Sequence, residues 1–241
     1  MSYLAAIFDM DGTVLNTLED LTDSMNYALG KARHRHDYPA ELVRHFFGSG
    51  VRVAVIRALA AEQGFSPKEL LQVGTEHDEI TKTVDPAEAE RIQEIYLPYY
   101  GEHCRDKTGP YDGILEVLQQ LQGAGVRTAV VSNKPDAAVQ TLTHELFRGL
   151  FDLSVGETNG VRRKPAPDMT QKALEALGVT EKKNAVYIGD SEIDLQTAVN
   201  AGLDCISVDW GFRSRAFLEK QGARTIVSHP EEIAQLVLGK C

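Results

Sequence analysis

The chain has 241 residues, 43% hydrophobic and 25% charged, which suits a soluble globular protein with one large domain or a core and a smaller companion. A formal net charge of −10 argues against nucleic-acid binding, because phosphate backbones are captured by clustered Lys and Arg. An anionic substrate would need positive charge concentrated locally, by a metal ion, a lysine or a helix N-terminus. The cysteines, Cys104, Cys205 and Cys241, stand far apart without C-x-x-C spacing, so neither a disulfide framework nor a zinc site is expected. The start, MSYLAAIFDMDG, lacks a basic flank, and its apolar run is too short for a signal peptide or a membrane span. The expected setting is the reducing cytoplasm, away from membranes.

In chain order, Leu4 to Phe8 reads as a buried strand that ends abruptly in Asp-Met-Asp-Gly. Residues 16 to about 104 contain no convincing strand. Leu18, Leu21, Met25, Ala28 and Leu29 fall at helical spacing, with Asn16 and Glu19 predicting a capping-box start. The basic run Lys31 to His36 reads as a solvated helix end. Ile92, Ile95 and Tyr99 predict a helix within 86–103. From about 112 onward, strand-like and helix-like segments alternate, as in a parallel sheet with crossover helices. The strands are expected at 126–131, ending at Ser132, at 185–188, ending at Gly189-Asp190, and at 205–208, ending at Asp209-Trp210-Gly211. Thr225 to Val227 is a candidate edge strand. The reading is a doubly wound, Rossmann-like α/β core over 1–15 and 105–241, with a small all-helical domain inserted at 16–104.

In open parallel sheets, ligands bind at the carboxyl ends of the strands. Asp9, Asp11 and Thr13 follow the first strand, Ser132, Asn133 and Lys134 the next, and Asp190 and Asp194 a later one, with Lys164 in a loop. Singly, each has an ordinary explanation. Asp-Gly is a common turn dipeptide, an acidic first turn suits a helix dipole, and Arg162-Arg163-Lys164 could be a solvated loop. As a set on strand ends they point to chemistry. Pro165 and Pro167 stiffen the loop and favour Lys164 as its one buried basic residue.

DMDGT, VVSNKP, KPAPD and GDSEID, in that order, resemble the four motifs of the haloacid dehalogenase superfamily of aspartate-nucleophile phosphotransferases. The resemblance spans nearly the whole chain. The helical insert is similar to the family's small cap, and FFGSGVR and the stretch from VDWGFRS to GARTIV resemble phosphoglycolate phosphatases.

The resemblance implies a phosphatase that hydrolyses a small organic phosphate, 2-phosphoglycolate by its nearest pattern, through an aspartyl phosphate. Asp9 would be the nucleophile and Asp11 the acid/base, with Lys164 a compact cation beside them. Magnesium would be held by Asp9, the Asp11 carbonyl and Asp190, with Asp194 close by without direct ligation. Thr13 is expected to orient Asp11 and, with Ser132 and Asn133, to belong to the phosphate-binding set. In the insert, Gly50 and Arg52 are the candidates for a second anionic group of the substrate, although Val51, Val53, Val55 and Ile56 also suit a plain packing face. Asn16-Thr17 departs from the Asp-Ser of many relatives. A phosphosugar mutase of the β-phosphoglucomutase kind would use the same core residues. Asp11 disfavours a dehalogenase, and the intact set disfavours an inactive phospho-ligand-binding protein. The expected partner is a small phosphorylated metabolite, and the expected assembly a monomer or homodimer.

Overall fold

The computed structural model describes residues 2–239, so Cys241 lies outside the described residues. The chain divides into two compact units, residues up to Asn16 together with Gly109 onward, and Thr17–Thr108.

The first unit opens with β1 (Ala5–Phe8), which is buried throughout. An apolar run without alternation is what a central strand covered on both faces requires. A tight turn follows, in which the Met10 carbonyl accepts from the amides of Thr13, Val14 and Leu15, and leads into β2 (Leu15–Asn16).

The second unit holds α1 (Leu18–Lys31), α2 (Ala40–Val43), α3 (Val51–Glu62), α4 (Pro67–Leu70) and α5 (Pro86–His103). Among the described residues it contains no strand. Leu21, Met25, Ala28 and Leu29 form the buried stripe of α1, as their spacing predicts. Its start differs from expectation. Asn16 is engaged in β2, Thr17 takes the cap position without a side-chain cap bond, and no capping box forms. The basic run after α1 is also more than a solvated end, because His34 Nδ1 lies 2.6 Å from Glu62 and Nε2 2.7 Å from Glu88. In α3, Val51 through Ala61 are buried apart from Arg52. Its Arg57 is 1% exposed and donates to the carbonyls of Phe46 and Val73 at 3.1 Å, and to the Ser49 hydroxyl at 3.3 Å.

The chain re-enters the first unit at β3 (Gly109–Pro110), which pairs antiparallel with β2. There follow α6 (Ile114–Gly123), β4 (Arg127–Pro135), α7 (Asp136–Phe147), β5 (Leu153–Glu157) and α8 (Asp168–Ala176). The unit ends with β6 (Ala185–Gly189), α9 (Glu192–Ala201), β7 (Asp204–Val208), α10 (Arg215–Lys220), β8 (Ile226–Val227) and α11 (Pro230–Leu238). Six strands form one parallel sheet in the order β5-β4-β1-β6-β7-β8. This is the doubly wound α/β core expected from the sequence, with β5 and α7 added to it.

Alternate residues of β1, β4 and β6 (Ala5 and Ile7, Ala129 and Val131, Ala185 and Tyr187) pack with Met169, Ala173 and Leu174 of α8 and Ala198 of α9. Phe8, pointing the other way, meets Phe151 edge-on at 5.8 Å, and Phe151 meets Phe147 of α7 at 5.0 Å. Register sets Phe8 opposite both Val130 and Ile188. Asp9 therefore falls opposite Val131 and Gly189, with Ser132 and Asp190 one residue further along the neighbouring strands. Winding reverses at β1, where an open sheet parts its crossovers and leaves a crevice for a ligand.

Candidate active site

Asp9 is the first residue past β1 and is 8% exposed. Its amide donates to the Ile188 carbonyl at 2.8 Å, which fixes its backbone at the sheet end. One carboxylate oxygen lies 2.7 Å from Lys164 Nζ. The same ammonium donates to Asp194 Oδ1 at 2.8 Å and to the Tyr187 hydroxyl at 3.0 Å. Of the basic triplet, Lys164 alone is buried, while Arg162 is exposed and pairs with Asp168 at 2.9 Å. The Asn133 side chain clamps Lys164 by its backbone, donating to its carbonyl at 3.0 Å and accepting from its amide at 2.8 Å. Asp194 Oδ2 accepts from the Ser191 hydroxyl at 2.6 Å and amide at 3.1 Å, closing a capping box at the start of α9. Both Asp194 oxygens are thus engaged by protein.

Asp190 ends β6. Its Oδ1 accepts from the Thr13 hydroxyl at 3.0 Å and its Oδ2 from the Phe212 amide at 2.7 Å. Thr13 therefore orients Asp190 rather than Asp11, because the turn after Asp9 folds its buried hydroxyl toward β6. Gly12, at φ +82°, is required by close approach, since a Cβ there would stand 2.5 Å from Asp190 Oδ2. Asp11 instead meets Lys134 of β4, whose Nζ lies 2.9 Å from its Oδ1. The Ser132 hydroxyl oxygen accepts from the Lys134 amide at 3.2 Å. Gly50 and Arg52 belong to the helical unit, Gly50 buried at the start of α3 and Arg52 exposed in its first turn.

Asp9, Asp190 and Asp194 offer oxygens within 4.8 Å of one another, the one group of this kind among the described residues that could hold a metal ion. Burial first, then the Asp194 and Asp190 carboxylates, hold the Asp9 carboxyl well above the usual range against the pull of Lys164. Burial and Asp194 push Asp190 up to about 7. Burial works against the Lys164 charge, but Asp194 and Asp9 outweigh it and hold its pKa well above the ordinary value. Three carboxylates thus crowd together with one ammonium between two of them, and this excess of hard oxygen donors fits a divalent cation such as Mg²⁺.

Sequence reasoning left Lys134 without a role and did not find Tyr187, Glu192 or Arg213. Lys134 carried a signal, its place directly after Ser132-Asn133 at a strand end. Tyr187 faces Lys164 by strand alternation, but the loop that brings Lys164 there leaves no trace in the spacing.

A parallel sheet with a carboxylate and lysine cluster at its switch point is the arrangement of an α/β enzyme. The sequence profile of the haloacid dehalogenase-like hydrolases matches residues 6–208, and the chain belongs to this family. A phosphoglycolate phosphatase of Mesorhizobium japonicum is 30% identical over 95% of this chain and 92% of its own. One of Pseudomonas putida is 31% identical over 86% of this chain and 69% of its own. A crystal structure of a candidate phosphoglycolate phosphatase from Lactobacillus delbrueckii is 53% identical, covers 99% of this chain and 100% of its own, and superposes with a TM-score of 0.97. The protein is accordingly a hydrolase of the phosphatase type.

Proposed function

We propose that the protein hydrolyses a small phosphate monoester, 2-phosphoglycolate, through an aspartyl phosphate on Asp9 and with Mg²⁺ as cofactor. The observation that carries this reading is the Asp9, Lys164, Asp194 and Asp190 cluster at the ends of β1 and β6. An Asp9 oxygen attacks phosphorus, the ester P–O bond breaks, and Asp11 gives its proton to the leaving oxygen. Water then attacks the acyl phosphate, Asp11 takes a proton back, and phosphate leaves as the Asp9 carboxylate is restored. Lys164 binds the phosphoryl oxygens beside Asp9 and opposes the rise that burial and Asp194 impose on the Asp9 carboxyl. Ser132 is the hydroxyl for a phosphoryl oxygen, while Asn133 and Thr13 act through Lys164 and Asp190. Asp9, Asp190 and the Asp11 carbonyl would hold Mg²⁺, which when bound neutralises the repulsion between Asp9 and phosphate. Asp194, paired with Lys164 at 2.8 Å, orients that lysine.

The helical unit serves as the cap domain, with Gly50 and Arg52 meeting the substrate carboxylate. The reading places the protein in a reducing cytoplasm, as a monomer or homodimer, where free Cys104 and Cys205 persist. Among the described residues, no helix is long and apolar enough to cross a membrane. Phosphate release from 2-phosphoglycolate should vanish in chelator and return with Mg²⁺. Arg52→Ala should cost about 2–5 kcal/mol in kcat/KM for this substrate and much less for an aryl phosphate without a carboxylate. No release from 2-phosphoglycolate would end the substrate assignment, and full activity in chelator would end the metal assignment.

A further inference from the structure

The segment Trp210–Arg213 lies outside the residues assigned above, yet several contacts fasten it to them. Trp210 Nε1 donates to the Thr13 carbonyl at 3.1 Å. The Phe212 amide donates to Asp190 Oδ2 at 2.7 Å. Arg213, 2% exposed, donates through Nε and Nη2 to the two oxygens of Glu192 at 2.8 and 3.1 Å. Between these points, a Cβ on Gly211 would stand 2.3 Å from the Gly12 carbonyl oxygen and 2.4 Å from Asp190 Cβ.

Each Asp190 oxygen is therefore set by its own arm. Oδ1 takes the Thr13 hydroxyl, whose backbone is held by Trp210. Oδ2 takes the Phe212 amide, whose neighbour Arg213 is pinned to Glu192, the first residue of α9. Glu192 also follows Asp190 by only one intervening residue, so the planar two-point pair holds the Asp190 loop from the opposite side. For packing alone the pair is a poor choice, because a buried ion pair gains little over apolar residues of similar volume. Its two-point geometry is what a hydrophobic pair would lack.

We infer that Trp210 and Arg213 are positioning residues for Asp190, which they hold in the orientation that gives the site its affinity for a divalent cation. This rests on Asp190 as a cation ligand and is independent of the substrate's identity. The test is direct calorimetric titration of Mg²⁺ into substrate-free wild type, Trp210→Phe, Arg213→Lys and Arg213→Met, with melting temperatures in chelator. Arg213→Met should weaken Mg²⁺ binding by about 10- to 100-fold, the usual cost of removing the support of a ligand. Arg213→Lys and Trp210→Phe should show smaller losses in the same direction, and at saturating Mg²⁺ substrate KM should change little. Lower melting temperatures with wild-type Mg²⁺ affinity would mean a plain structural role and overturn the inference. If Arg213→Met does not fold, the two conservative variants decide on the same criterion. Wild type without Mg²⁺ binding would remove the cation reading of Asp190, and the inference with it.

Discussion

In the helical unit the buried Arg57 guanidinium donates to backbone carbonyls and the Ser49 hydroxyl, and the buried Asp20 carboxylate accepts from the Lys107 and Thr108 amides at 2.9 to 3.1 Å. Each charge is met where it stands by neutral dipoles. In the α/β unit, Asp9, Asp190 and Asp194 are buried within reach of one another, and Asp9 and Asp194 share Lys164. Burial first, and then repulsion between the like charges, raises the carboxyl pKa values there. Burial of charge alone therefore does not mark a site. A fold that only needs to hold its loops satisfies each charge separately, whereas one that gathers like charges has left them for a ligand or a reaction.

The comparison breaks first at Asp9. Asp9→Asn should lower kcat by roughly 10³-fold or more, the scale of losing a nucleophile, while circular dichroism stays native. A variant retaining a tenth of the wild-type rate would remove the covalent step. Next comes Lys164→Met, which strands Asp9 and Asp194 without their shared ammonium. Urea denaturation in chelator should show a loss of about 3–5 kcal/mol. A loss below 1 kcal/mol would show that the cluster does not depend on its lysine.

Arg57→Met should cost less, about 1–3 kcal/mol for the acceptors it orphans, and Mg²⁺ affinity in the α/β unit should match wild type. A large change in Mg²⁺ binding would erase the distinction between the two kinds of buried charge.

The smallest effect belongs to His34. Its burial works to lower the pKa, but hydrogen bonds and charge from Glu62 and Glu88 outweigh this and hold it raised. The stabilisation is complete below the unfolded value of about 6.5 and is lost as pH rises through the raised folded value. The melting-temperature deficit of His34→Gln should be greatest at acidic pH and shrink toward alkaline pH. A deficit that does not change with pH would mean the imidazolium is not the stabilising form.

The centre of the sheet and the main site were legible because β1, β4 and β6 each carry a short apolar run that stops at a polar residue. Asp9 and Asp190 stand at such stops, and the Ser132–Lys134 stretch stands where the apolar run of β4 ends, although the strand itself continues to Pro135. β5 was not legible, because Leu153–Glu157 is only partly apolar and takes its strand form from pairing with β4. Contacts across the chain were hidden as well. Thr13 sits beside Asp11 in sequence, yet its hydroxyl belongs to Asp190, since a tight turn decouples neighbours in sequence from neighbours in space. Nothing in the sequence singled out Arg57, because its acceptors come from the chain around Phe46, Ser49 and Val73. Asn16 reads as a helix cap, but its backbone is committed to a ladder with Gly109.

That ladder, two residues long, returns the chain to the α/β unit beside the point where it left. To the parallel sheet, residues 17–108 are a closed loop, and doubling the length of such a loop costs only about 0.6 kcal/mol. An insertion of another size, or a short turn from Asn16 to Gly109, can therefore be exchanged at this base without altering the pairing of β1 with β4 and β6. In evolutionary terms the inserted segment and the strand ends around Asp9 are free to change at separate rates. Grafting the segment between relatives is the corresponding engineering route.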